Sequence, residues 1–146
     1  MRSPRFRILC TEDDRDTRDL IKMVFTQNNC EVITGETPVL ALELAKARPF
    51  DLYLIDNWMP EISGTDLCEA LRLFDSETPI LFYSGAAYPK DKEKAFACGA
   101  QGYLTKPTGN DELVAEVFRL IEEARAKRTP AIAAPPPALL AMRTTG

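Results

Sequence analysis

Five side chains in this sequence combine into a chemistry that none of them suggests alone. Glu12 and Asp13 are adjacent acids, Asp56 closes an apolar run, Ser84 closes another, and Lys106 stands before Pro107. Brought together, the carboxylates would repel one another strongly. Such a cluster either raises the pKa of one member or recruits a hard cation with oxygen ligands, and a partly hydrated Mg²⁺ suits two carboxylates, a backbone carbonyl and waters. A carboxylate, a divalent cation and a lysine form a sufficient set for taking up a phosphoryl group, because that transfer asks mainly for positioning and charge neutralisation. Lys106 would put a fixed positive charge opposite a phosphoryl oxygen or Asp56 itself. Ser84 is followed by Gly85 and Ala86, whose small side chains leave room for a group that a hydroxyl and a backbone N–H could bind. Taken singly, Lys106 could be any surface lysine and Ser84 any strand-end serine, while Asp14 or Asp16 reads as the N-cap of the helix that follows.

The chemistry needs elements that carry these residues to one place. Short aliphatic runs alternate with longer helical patterns and no internal repeat is visible, which predicts five βα units around a parallel sheet. The expected strands are Phe6 to Thr11, Glu31 to Thr34, Asp51 to Asp56, Pro79 to Ser84 and the short QGYLT run. The third is apolar almost throughout and should lie in the middle of the sheet, covered on both faces. The first helix should turn Thr17, Leu20, Ile21, Val24 and Asn28 to one face, the third Leu67, Leu71 and Phe74. Thr37 with Pro38 predicts the start of the second helix. The fourth helix spans about Lys90 to Ala97 and stops at Gly99, and the last carries Leu113, Val117, Leu120 and Ala124 and ends near Lys127. In such a sheet ligands sit beyond the carboxyl ends of the strands, so the polar strand-end residues should converge.

Composition narrows the alternatives. At 146 residues with 45% apolar content, one domain with a core of ordinary size is expected. The chain has no histidine, which removes Ser/His and Cys/His catalysis, and Cys10, Cys30, Cys68 and Cys98 are too widely spaced for a zinc site. They read as small buried or half-buried apolar residues in a reducing, cytoplasmic protein. The net charge is -4, and residues 127 to 146 carry three basic residues and no acid, leaving 15 basic against 22 acidic before them. That balance does not indicate a nucleic-acid surface, and no run is long and apolar enough to suggest a membrane span. Four prolines between Pro130 and Pro137 argue against regular structure, so residues 128–146 read as a Pro/Ala-rich tail: disordered, an extended linker, or a docking peptide.

An acid pair, a single Asp, a hydroxyl and a Lys-Pro thus fall at the ends of the first, third, fourth and fifth strands in turn. In that order, RILCTEDD, DLYLIDNWMPEISG, PILFYSGAA and GYLTKP resemble the four signature segments of the receiver domain of two-component response regulators, over about residues 5 to 127, which sets the expected domain at residues 1–127. The resemblance implies an α/β (βα)5 doubly wound fold with a flavodoxin-like strand order 2-1-3-4-5 and helices on both faces. It implies that Asp56 is the phosphoacceptor and that Glu12, Asp13 and Asp56, with the backbone carbonyl of Trp58, hold Mg²⁺ or Mn²⁺. Ser84 and Lys106 would contact the phosphoryl group, Ser84 and Tyr103 would form the switch, and the peptide before Pro107 would be cis. The implied partners are a sensor histidine kinase or histidine phosphotransfer protein and a downstream protein target, with a homodimer through the fourth helix, fifth strand and fifth helix as a further option. Neither nucleic acid nor membrane is implied as a direct partner.

Two rival readings are weighed against this one. A metal-dependent phosphohydrolase would also use an aspartyl-phosphate, but such enzymes usually place a general acid two residues after the nucleophile, where this chain has Trp58. A docking module that is never phosphorylated would not need the full reactive set. The chain is therefore expected to be a signalling phosphoacceptor and not an enzyme, with slow self-dephosphorylation. Trp58, flanking with Ala86 the path of an attacking water, is expected to slow loss of the group.

Overall fold

The computed structural model describes residues 3–133. Strands β1 (Phe6–Thr11), β2 (Cys30–Gly35), β3 (Leu52–Ile55), β4 (Ile80–Ser84) and β5 (Gly102–Thr105) alternate with helices α1 (Arg15–Gln27), α2 (Pro38–Ala47), α3 (Gly64–Arg72), α4 (Pro89–Ala97) and α5 (Asn110–Ala133). The strands form one parallel sheet in the order β2-β1-β3-β4-β5, the doubly wound arrangement expected. The strand order reverses beside β1, so the carboxyl ends of β1 and β3 border the crevice where such sheets bind ligands.

Register brings the strand-end residues together. Thr11 lies opposite Ile55 and Ser84 opposite Thr105, so Glu12 and Asp56 leave the sheet side by side, as do Gly85 and Lys106. Two backbone bonds fix the alignment just beyond the strands: Asp56 N–H donates to Thr11 O at 3.0 Å and Lys106 N–H to Ser84 O at 2.8 Å.

The sheet separates two apolar layers. Ile8, Cys10, Leu52 and Leu54 face Ile21 and Phe25 of α1 and Leu113, Val117 and Leu120 of α5. Leu9, Tyr53, Ile55 and Phe82 face Ala41, Leu67, Leu71 and Ala95 on α2, α3 and α4. Every residue of β3 is buried, as a strand covered on both faces must be. Cys10, Cys30 and Cys68 are buried, Cys98 is partly exposed, and all four are free thiols.

The helix starts follow their sequence signals. Asp14 caps α1 by accepting from Thr17 N–H, and Thr37 caps α2 ahead of Pro38. Ser63 and Asp66 form a reciprocal capping box on α3, each cap of this kind stabilising its helix by about 1 kcal/mol. Gly99 ends α4 with a φ of 108°, a left-handed conformation in which a side chain would be strained.

Three expectations need correction. Leu20 is 43% exposed, and Phe25 takes its place in the core, because the buried stripe of α1 runs through Ile21, Val24 and Phe25, about 100° per residue away from Leu20. Phe74 lies past the end of α3 at Arg72 and is also 43% exposed, with the Lys46 ammonium 5.5 Å from its ring centroid. α5 does not stop near Lys127 but continues through Pro130 to Ala133, since a lone proline removes one helical hydrogen bond without obliging a long helix to end there. The rest of the proline-rich tail, from residue 134, lies outside the described residues. Among the described residues, no helix is long and apolar enough to cross a membrane.

Candidate phosphoryl-acceptor and metal site

Glu12, Asp13 and Asp56 each offer a carboxylate oxygen, and these atoms lie within 4.8 Å of one another. Glu12 and Asp56 are buried and Asp13 is exposed, so the group opens to solvent on one side. Lys106 reaches in from the end of β5, its Nζ 2.6 Å from Glu12 Oε1 and 3.6 Å from Asp56 Oδ2. Three carboxylates against one ammonium leave the cluster with surplus negative charge. Burial pushes the Glu12 carboxyl up to about 7, the neighbouring Asp56 charge adds to the rise, and the Lys106 hydrogen bond opposes it. Burial alone would lower the Lys106 ammonium, but hydrogen bonding to Glu12 and the charges of Asp56 and Glu12 outweigh it and hold its pKa up.

This donor set fits a hard divalent cation. All the ligand atoms are oxygens, no thiolate or imidazole competes in the cluster, and a cation would relieve the negative charge that the lysine leaves uncompensated. The backbone also braces the acids. Arg18 on α1 donates from Nη1 to the carbonyls of Glu12 and Asp13, both at 2.9 Å, and Asp14 N–H donates to Glu12 Oε2 at 3.2 Å. Trp58 N–H donates to Asp56 Oδ1 at 3.2 Å, which orients the carboxylate that would attack.

Gly64 is required at the first position of α3 by the close approach of that helix to the site. A Cβ there would come 2.6 Å from the Asp56 carbonyl oxygen and 2.8 Å from the Phe82 ring. The loop from Asn57 to Ser63 therefore turns tightly enough to keep Asp56 over the sheet end, helped by Gly64 N–H donating to Asn57 O.

On the other side of the crevice Ser84 is fully buried, and its Oγ accepts from Ala86 N–H at 3.2 Å, leaving the hydroxyl proton to donate elsewhere. Tyr103 is half-buried, stacked parallel on Phe82 at 5.5 Å, with its hydroxyl donating to Ala86 O at 2.5 Å. The two residues read as a switch thus grip the same short loop from either end, and the peptide between Lys106 and Pro107 is cis. The Trp58 indole packs over Gly85, where an added Cβ would lie 3.3 Å from the ring.

All the strand-end residues singled out from the sequence, Glu12, Asp13, Asp56, Ser84 and Lys106, border one crevice. Sequence reasoning missed Arg18, whose long side chain reaches back from the first turn of α1 to the acid pair. Its only signal was a basic residue one helical turn after an N-cap aspartate, which many helices share. It also missed the buried Asn57, which lies close enough to the Tyr103 hydroxyl to lower that phenol's pKa against the rise caused by burial.

A parallel sheet with an acid cluster and a lysine at its carboxyl edge defines a small class of phosphoryl-handling proteins. The chain belongs to the response regulator receiver domain family, whose model matches residues 8–118. It is 33% identical over 119 residues to the cell cycle transcriptional regulator CtrA of Caulobacter vibrioides (strain NA1000 / CB15N), covering 82% of this chain and 52% of that protein. The chain therefore spans about half the length of the curated relatives it matches. Among solved structures it resembles the receiver domain of the Francisella response regulator 1452, with 29% identity and a TM-score of 0.76 over 81% of this chain and 98% of that one. A CheY-like receiver domain protein from Methanospirillum hungatei JF-1 shares the fold, with a TM-score of 0.81 at 24% identity over 84% of this chain and 98% of that one.

Proposed function

We propose that this receiver domain takes a phosphoryl group onto Asp56 with the help of Mg²⁺ or Mn²⁺ and works as a signalling switch. The observation that carries the proposal is the meeting of Glu12, Asp13 and Asp56 oxygens within 4.8 Å, with Lys106 Nζ 3.6 Å from Asp56. Asp56 Oδ2 is the attacking atom, since Oδ1 is held by Trp58 N–H. Glu12, Asp13 and the Trp58 carbonyl are the remaining protein ligands for the cation, which when bound neutralises charge on the transferring group. Lys106 pairs with the new phosphoryl oxygens, and Ser84 donates its free hydroxyl proton to one of them.

The donor is a phosphohistidine on a partner, a sensor histidine kinase or phosphotransfer protein, as suits a receiver domain; the sequence itself holds no histidine. Drawing Ser84 toward a phosphoryl oxygen moves the loop that Tyr103 also holds, so the change passes to α4, β5 and α5, where a downstream protein or a second copy reads it. The exposed aromatic Trp58 stands where a phosphohydrolase needs a general acid, which supports a phosphoacceptor that is not an enzyme. A cytoplasmic setting suits the four free thiols.

Trp58 is the only tryptophan, two residues from Asp56, so its fluorescence tests the reading. Titration with Mg²⁺ and then beryllofluoride should give saturable changes in each step, with the beryllofluoride step lost in Asp56→Asn. No response in the unaltered protein would sink the phosphoacceptor and favour a fixed docking module.

A further inference from the structure

Between α3 and α4 lies an open groove of about 700 Å³, away from the Asp56 site. Ala70, Leu73, Ala97 and Cys98 are its apolar lining, and Asp66, Glu69 and Arg72 its charged lining, acidic on balance. Leu73 is 88% exposed, more than any other large apolar side chain among the described residues. Phosphoryl chemistry gives no reason for an uncovered leucine at this position, and its place beside the apolar lining of a groove makes it part of a surface that another segment could cover.

The C-terminal segment supplies a matching occupant. Beyond Ala133 the sequence runs APPPALLAMRTTG, with Leu139, Leu140 and Met142 as large apolar residues, Arg143 beside them, and no acid. The helix that precedes it, α5, is linked to the groove by a short series of contacts. Arg128, near the end of α5, is 3.9 Å from Glu77, and Gln101 lines the cleft beside α5. Gln101 in turn accepts from Arg72 Nη2 at 2.9 Å, and Arg72 walls the α3–α4 groove. The extended chain from Ala133 to Leu139 reaches about 20 Å, enough to cross the roughly 10–20 Å of one or two helix widths.

We propose that residues 138–143 dock in cis in the α3–α4 groove, Leu139 and Leu140 covering Leu73 and Arg143 meeting Asp66 and Glu69. The docked segment would bridge α3 and α4 and so bias the position of α4. The proposal stands apart from phosphoryl transfer, and its test does not use that site.

Cys98 lines the groove and is the one partly exposed cysteine, the other three being buried. Its alkylation by a maleimide, followed by mass spectrometry on the full chain, therefore reports whether the groove is covered. Labelling should be several-fold faster in Leu139→Asp/Leu140→Asp and in Leu73→Lys, with thermal midpoints unchanged because neither change touches the core. A peptide of residues 134–146 added to the Leu139/Leu140 variant should restore protection. An unchanged rate in that variant overturns the proposal whatever Leu73→Lys does. Protection that fades on dilution also overturns it, since the segment would then come from a second copy.

Discussion

Trp58 stands beside Asp56, the proposed acceptor, with 61% of its surface exposed, which is a poor place for an indole unless it shields something. The sequence placed Ala86 opposite it, but Ala86 is fully buried and Gly85 is the residue beneath the ring. The indole therefore bridges the loops that follow β3 and β4, on the solvent side of Asp56 and Ser84. Trp58→Ala should shorten the aspartyl-phosphate lifetime several-fold while leaving the thermal midpoint within about 1 °C, because an exposed side chain contributes little to folding. Decay of the radiolabelled phosphoprotein measures it, and an unchanged lifetime would show that the indole screens nothing. The candidate site was legible because its members are polar residues at the ends of apolar runs, and strand ends in a doubly wound sheet have a fixed meeting place. Arg18 was not legible, since its role depends on a long side chain reaching two carbonyls, and no spacing rule encodes that reach.

At the level of elements, the corner between α3 and β4 is held by a carboxylate that takes no part in phosphoryl chemistry. Asp75 Oδ1 accepts from Glu77 N–H at 3.1 Å and Thr78 N–H at 3.0 Å, and Oδ2 from the Tyr53 hydroxyl of β3 at 2.7 Å. The DSETP stretch carried this signal, an aspartate able to bond its own backbone two and three residues on, and the periodicity argument passed over it. Phe74 continues the α3 stripe by spacing alone, but the helix ends at Arg72 before that position can turn inward. Burial would raise the Asp75 carboxyl, but the Thr78 and Tyr53 hydroxyls and the two backbone N–H groups outweigh it and hold it below the ordinary range. A carboxyl lowered in the folded state adds stability that is fully present above its unfolded value of about 3.9 and is lost as pH falls through the folded value. Asp75→Ala leaves the buried Tyr53 hydroxyl without its acceptor and should cost about 1–3 kcal/mol at pH 7. Urea unfolding of both proteins at pH 7 and again near pH 3 checks the sign. The gap between them should narrow in acid, and a gap that widens would mean that Asp75 is protonated in the native protein.

Across the whole molecule the two apolar layers share one sheet, and β3 belongs to both. Leu52 and Leu54 point into the layer under α1 and α5, while Tyr53 and Ile55 point into the layer under α2, α3 and α4. The period-two alternation of a strand thus couples the layers, since neither can loosen without disturbing the other face of the same four residues. Leu54→Ala removes a side chain that is 1% exposed and should cost about 2–5 kcal/mol, a large part of the roughly 5–15 kcal/mol that holds such a domain folded. The informative result is the shape of the transition. Trp58 fluorescence reports the loops on the α3 side, far-UV circular dichroism reports all five helices, and the cavity lies on the opposite side, so coincident urea curves in the variant require the layers to unfold as one. A fluorescence curve that kept the unaltered midpoint while the dichroism curve shifted would show that the α2–α4 layer stands without its partner. The switch would then have to work through α4 and its own layer, with α5 free to respond separately.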